Sequence, residues 1–152
     1  MKQTNDALRV WFHLIRLHTR SRMAVANRLR CYDLSVPQCD VLTTLTEREG
    51  ISQQDLAARL YVTKGNISGL IDRLVAGGLV ERRTLQSDRR SHAIYLTPAG
   101  RELARRGIEA QEAFVAETFG RIAPERLAQL DALLLELRDL VLATGDPVEQ
   151  DV

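Results

Sequence analysis

The 152-residue chain predicts a mainly α-helical fold with one small β-hairpin. Three observations carry that expectation. Apolar residues recur at three and four positions over most of the length, the period of helices with one buried face. Helix-start signatures punctuate the chain, with Ser or Thr before a polar first turn and proline at the first helical positions. The period shifts to branched, extended runs at one place only, Leu79-Val80-Glu81-Arg82-Arg83 and Ala93-Ile94-Tyr95-Leu96. At this size, with 45% hydrophobic and 27% charged residues, one folded domain is expected rather than disorder.

The first helix is expected over residues 6–30. Leu8, Trp11 and Ile15 form one stripe, and Val10, Leu14 and Leu17 form a second. A helix packed only on its own domain usually needs one stripe, so the second points to a partner or to a central position in a monomer. Ser35-Val36-Pro37-Gln38 combines a capping box with proline in the first turn and predicts a helix to about Arg48. Gly50 breaks it, and Ser52-Gln53-Gln54-Asp55 opens a third, short helix over 53–60. Thr63 is the expected N-cap of a fourth helix, with Ile67, Leu70, Ile71, Leu74 and Val75 turned to the core and Gly77-Gly78 ending it. The hairpin follows, its two strands separated by the polar loop 85–92. Thr97-Pro98 starts a fifth helix to about Phe119, and Ala123-Pro124-Glu125 a sixth ending near Ala143. Residues 144–152 are polar and expected to fray.

Charge narrows the class of function. Residues 1–62 carry nine basic and six acidic side chains, residues 63–106 nine and four, and residues 107–152 three and ten. A net charge of only +1 therefore hides a basic front and an acidic tail, as expected when one part of a protein meets a polyanion. All 21 basic residues except Lys2 and Lys64 are arginine, which suits bidentate phosphate or guanine contacts but also fits a compositional bias of the genome. No apolar run approaches the ~20 residues of a membrane span, and the opening Met1-Lys2-Gln3-Thr4 lacks the build of a secretion signal. A cytoplasmic protein with no membrane partner is expected. Cys31 and Cys39 are too few for a disulfide framework.

Two short helices joined by a tight turn, the second presenting polar side chains, constitute a helix-turn-helix. With its apolar stripe inward, the fourth helix leaves Lys64, Gly65, Asn66, Ser68, Gly69, Asp72 and Arg73 outside. Small side chains let such a helix approach base edges, Asn and Lys can read adenine and guanine, and the helix N-terminus favours phosphate. Gly65 and Gly69 each cost up to ~1 kcal/mol relative to alanine inside a helix. They lie four residues apart, so they open one side, either to a duplex or to another helix. Arg82, Arg83, Arg89 and Arg90 form a mobile basic tip on the hairpin that suits a minor groove, although a merely solvated loop would look the same.

These motifs together resemble the multiple antibiotic resistance regulator (MarR) family. The resemblance rests on Leu34-Ser35-Val36-Pro37-Gln38, Gln54-Asp55-Leu56-Ala57, Val62-Thr63-Lys64-Gly65-Asn66-Ile67-Ser68, Gly78-Leu79-Val80-Glu81-Arg82, Asp88-Arg89-Arg90-Ser91 and Leu96-Thr97-Pro98-Ala99-Gly100, in order, over residues 34 to about 106. It implies a single domain over 1–152, with a winged helix-turn-helix at 34–97, dimerisation helices at 6–30 and 98–143 and a flexible tail at 144–152. It also implies a homodimeric transcription regulator, commonly a repressor released by a small molecule. The recognition helix would then carry Thr63, Lys64, Asn66, Ser68 and Arg73, and the wing Asp88 and Arg90, with Asp88 orienting the arginine. Two-fold symmetry predicts a pseudo-palindromic double-stranded operator with half-sites about 10 bp apart.

Other chemistries find little in the chain. It has no Gly-x-Ser-x-Gly turn, no phosphate loop and no paired His/Cys arrangement, so an enzyme is not expected. His13 and His18 are five residues apart, off a shared helical face, and neither a metal site nor a cofactor is expected. A ligand pocket between the first helix and the start of the fifth would draw on Trp11, His18 and Tyr95, which ordinary core filling also explains. The competing class is a protein-interaction module that keeps the fold without touching DNA.

Overall fold

The computed structural model describes residues 2–85 and 88–145, and the side chains of these except residues 2–4, 85 and 88–91. The elements run α1 (Lys2–Leu29), α2 (Val36–Glu47), β1 (Ile51–Ser52), α3 (Gln53–Leu60), α4 (Lys64–Ala76), β2 (Val80–Leu85), β3 (Asp88–Leu96), α5 (Pro98–Glu117) and α6 (Pro124–Ala143). Single 3-10 turns follow α1 at Arg30–Tyr32 and α5 at Phe119–Arg121. No described helix is long and apolar enough to cross a membrane.

Local chemistry accounts for the helix starts. Ser35 Oγ accepts from the Gln38 amide at 3.3 Å, and Gln38 Oε1 accepts from the Ser35 amide at 3.0 Å, so both members of the box are in place. Ser52, Thr63 and Thr97 each accept from the amide three residues on, at 3.0, 3.3 and 3.0 Å. Each bond satisfies one amide that the first turn would leave without a partner. The Gly77-Gly78 stop is a C-cap in which Gly78 takes φ +70° and the Leu79 amide donates back to Leu74 O at 2.9 Å.

The sheet differs from the expected two-stranded hairpin in two ways. It has three antiparallel strands in the order β1-β3-β2, because Ile51 and Ser52 pair with Ile94 and Ala93. The strands are also longer than the apolar runs, so β3 begins at Asp88 and absorbs most of the expected loop. Pairing with β2, Val80 to Leu96 and onward to Leu85 with Asp88, supplies the extended conformation that a polar run does not announce by itself. Gly50 makes the entry to β1 possible. Its φ is +74°, its amide donates to Ile94 O at 2.8 Å, and a Cβ would sit 2.8 Å from the Tyr95 hydroxyl.

A buried core gathers Leu29, Leu42, Leu45, Leu56, Ile67, Ile71, Leu74 and Ile94 from α1, α2, α3, α4 and β3. α2 lies at its centre and α5 packs across α2, where Gly107 allows close approach to the Cys39 sulfur. Glu49 locks the sheet to α5, since its carboxylate accepts from the Leu96 amide at 3.0 Å and from Arg101 at 2.9 Å. The Arg101 hydrogen bond, aided by that amide, holds the Glu49 carboxyl below the usual range. The flanking helices are different. α6 buries none of its residues within the chain, and α1 leaves Leu8, Val10, Trp11, Phe12, Ile15 and Leu17 exposed.

Candidate nucleic-acid interface

α4 is held by its stripe. Ile67, Leu70, Ile71 and Leu74 are buried, and they lock the helix in one rotation about its axis. Val75, expected inward, is exposed instead, because it lies about 90° round the helix from the middle of that stripe. The opposite side presents Gly65 and Gly69 at its middle, with Asn66 and Arg73 along one flank and Ser68 along the other. Lys64 and Thr63 stand at the helix start, and Thr63, Lys64, Gly65, Asn66 and Arg73 are exposed while Ser68 and Gly69 are half-buried.

The two glycines leave real space. A Cβ built on either would meet nothing within 4 Å, so neither is there to admit another helix of this chain. Their cost in helix propensity has no return within the described fold. Gly69→Ala is therefore expected to raise stability by up to ~1 kcal/mol while weakening whatever binds this face. Urea unfolding beside a binding titration checks both halves; a variant that is stabilised and binds as the parent does would remove the glycine face from the interface.

The wing divides its arginines. Arg82 and Arg83, expected at a mobile basic tip, are both committed at the wing root. Arg82 Nη1 lies 2.6 Å from Asp72 Oδ1 of α4, Nε donates to Gln53 Oε1 of α3 at 3.2 Å, and Nη2 donates to Ser68 O at 3.4 Å. Arg83 stacks over the Tyr95 ring at 4.0 Å and pairs with Glu81. Their pairing in the sheet, Arg82 with Ile94 and Arg83 with Ala93, turns alternate side chains to opposite faces. Asp88, Arg89 and Arg90 occupy the first three positions of β3, and their side chains lie outside the described residues, as does the expected Asp88–arginine pairing.

The electrostatics of the α4 face follow from this division. The first turn of α4 holds no acidic residue, and its leading amides present partial positive charge. Asp72 is the acidic group on the presented side, and Arg82 neutralises it. Among the described residues, Lys64 and Arg73 are left to set the sign of the surface, which suits phosphate. Composition alone contains no signal for the Arg82–Asp72 pair, because the partners are ten residues apart on different elements.

A family model described as the MarR family matches residues 32–91. A solved MarR-family transcriptional regulator from Rhodococcus sp. RHA1 is 30% identical, with TM-score 0.75, over 86% of this chain and 93% of that one. The chain belongs to the MarR family. This MarR-family chain is thus a transcriptional regulator rather than an enzyme, and its fold is the winged helix-turn-helix. The HTH-type transcriptional regulator TtmR of Methylorubrum extorquens is 33% identical over 126 residues, covering 83% of this chain and 64% of that protein. A mutant MarR from E. coli, solved in complex with operator DNA, shares the fold at TM-score 0.79 and 22% identity, over 88% of this chain and 96% of that one.

The residues expected at a ligand pocket of this MarR-family chain are not brought together. Trp11 and His18 are exposed on α1, whereas Tyr95 lies between Gly50 and Arg83. A groove of ≈ 640 Å³ lies instead between α1 and α2, lined by Arg22, Met23, Ala26, Leu34, Val36 and Pro37. Cys39 is fully buried, and burial pushes its thiol up to about 11, so it carries little thiolate at neutral pH. Cys31 is exposed and donates from Sγ to Arg28 O at 3.3 Å. Among the described residues no group of three His, Cys, Asp or Glu side chains is placed to hold a metal.

Proposed function

We propose that the protein is a sequence-specific, double-stranded DNA-binding repressor that acts in the cytoplasm as a homodimer and is released by a small molecule. The open glycine face of α4, bordered by Asn66, Ser68, Lys64 and Arg73 and unused by the chain itself, carries this reading. In it, Lys64, Asn66 and Ser68 read base edges in the major groove and Arg73 braces against phosphate. Arg89 and Arg90 probe the adjacent minor groove, with Asp88 orienting them. The operator complex of the E. coli neighbour supports the same use of the fold.

The dimer is proposed from surface that one chain leaves uncovered. Exposed apolar side chains lie both on α1 and on α6, among them Leu133, Leu134, Leu137 and Val141, in a quantity that isolated soluble proteins rarely present. Residues 6–30 and 98–143 then serve as dimerisation helices around the DNA-reading segment 34–97. The α1–α2 groove lies where the dimerising helix meets the reading segment, so an occupant there would alter the separation of the two α4 helices. A change of a few ångströms suffices to prevent both from docking at once.

Selection of bound sequences from a random duplex pool tests this directly. The expected product is a pseudo-palindrome with half-sites about 10 bp apart. Affinity for it should fall by roughly 10³–10⁵ between 50 and 200 mM salt if six to ten phosphates are contacted. An interaction module of the same fold would enrich no sequence and show no such salt dependence.

A further inference from the structure

Arg82 ties three elements together. From β2 it reaches Gln53 at the start of α3, and Ser68 O and Asp72 on consecutive turns of α4. Its side chain is 25% exposed and that of Asp72 60%, so the cluster lies at the edge of the α4 face rather than in the core. A guanidinium has the planar fork of donors needed to serve three acceptors in fixed directions, which a lysine ammonium cannot reproduce. Ion pairs this exposed contribute little to folding stability. The contact therefore matters chiefly for where its partners point.

We propose that Arg82 is a positioning residue for DNA reading: a strut that sets the angle between α4, its supporting helix α3 and the wing, without itself contacting DNA. The proposal rests on the DNA-binding reading above and deepens it. The wing is a lever. From Arg82 to Leu85 the hairpin extends about 10 Å, so a tilt of about 10° at the root displaces the tip by about 2 Å. That displacement is enough to separate minor-groove contact by the wing from base contact by α4. The strut acts on the reading helix at Ser68, one of the residues assigned to base contact, so loosening it changes sequence preference as well as affinity.

Three roles for Arg82 can be told apart with the sequence selected by the parent protein. As a strut, Arg82→Lys and Asp72→Asn each weaken binding about tenfold and the double variant is no worse than either alone. The slope of log affinity on log salt stays that of the parent, and both singles relax selectivity in a repeated pool selection. If Arg82 contacts phosphate, the slope falls by about 0.9 in Arg82→Gln, which removes the charge that Arg82→Lys keeps, and the proposal is overturned. If Arg82 merely masks the charge of Asp72, Asp72→Asn binds as tightly as the parent or more tightly, and the proposal is again overturned. Thermal midpoints accompany each variant. Should Arg82→Lys fail to fold, Asp72→Asn, altered at a largely exposed side chain, decides the matter. Failure of the parent to enrich any duplex would remove the DNA-binding reading itself, whereas parental binding with unchanged variants removes only the strut.

Discussion

Gly100→Ala is expected to destabilise the fold by about 3 kcal/mol or more, at the upper end of what one added methyl group does. A Cβ at this position would lie 1.8 Å from Leu79 O and 2.8 Å from Leu79 C, both backbone atoms. Neither side can yield locally. Leu79 O already accepts from the Thr97 amide at 3.0 Å, and the Thr97 hydroxyl donates to Gly78 O at 2.6 Å. The next residue, Val80, is buried and paired with Leu96. The methyl group must therefore lift the first turn of α5 away from the end of α4 and the root of the wing. Urea unfolding of parent and variant measures the cost, with Gly120→Ala, whose Cβ would meet only Val115 O at an ordinary 3.5 Å, as the control. A Gly100→Ala midpoint equal to that of the control would show that the junction is softer than its geometry indicates.

Leu137→Arg is expected to separate the proposed dimer and reduce operator affinity by roughly 10²–10⁴, the factor lost when two linked half-site contacts become one. The argument starts from α6 alone. Twenty residues of helix with no buried side chain have little to hold them, because most helical stability in proteins comes from packing an amphipathic face. Leu127, Leu130, Leu134, Leu137 and Val141 recur at three and four, so a single covering surface can bury them together. α1 presents a second uncovered apolar surface. A guanidinium at position 137 would have to be buried without a partner when two copies meet, at a cost far exceeding a lost leucine contact. Sedimentation should find a single subunit that retains the winged core. A dimer that persists with Arg at 137 would place the interface elsewhere.

Features governed by neighbours in sequence were legible in advance. The caps at Ser35, Ser52, Thr63 and Thr97 close on amides three residues away, so residue type and spacing suffice to place them. The inward stripe of α4 follows from the helical period, and so do the residues left on its open face. Apart from Val75 at the edge of that stripe, errors began where a partner is distant. β1 is two residues long, and nothing in Ile51-Ser52 foretells pairing with Ile94 and Ala93 some forty positions on. β3 extends through Asp88 to His92 because β2 lies beside it, although that stretch has neither apolar alternation nor branched residues.

The sequence by itself determined that this chain forms a helix-turn-helix with an exposed polar helix, a following wing and apolar flanking helices. Periodicity, capping and turn chemistry act over three or four residues and need no fold to express them. Only the tertiary structure decided that Arg82 and Arg83 belong to the framework while Lys64 and Arg73 have no side-chain partner among the described residues. All four are basic residues in one charged stretch, and composition treats them alike. Their difference arises when packing brings Asp72, Gln53 and Tyr95 within reach of two of them, because hydrogen bonds and ring stacking depend on distances of a few ångströms that chain order does not encode.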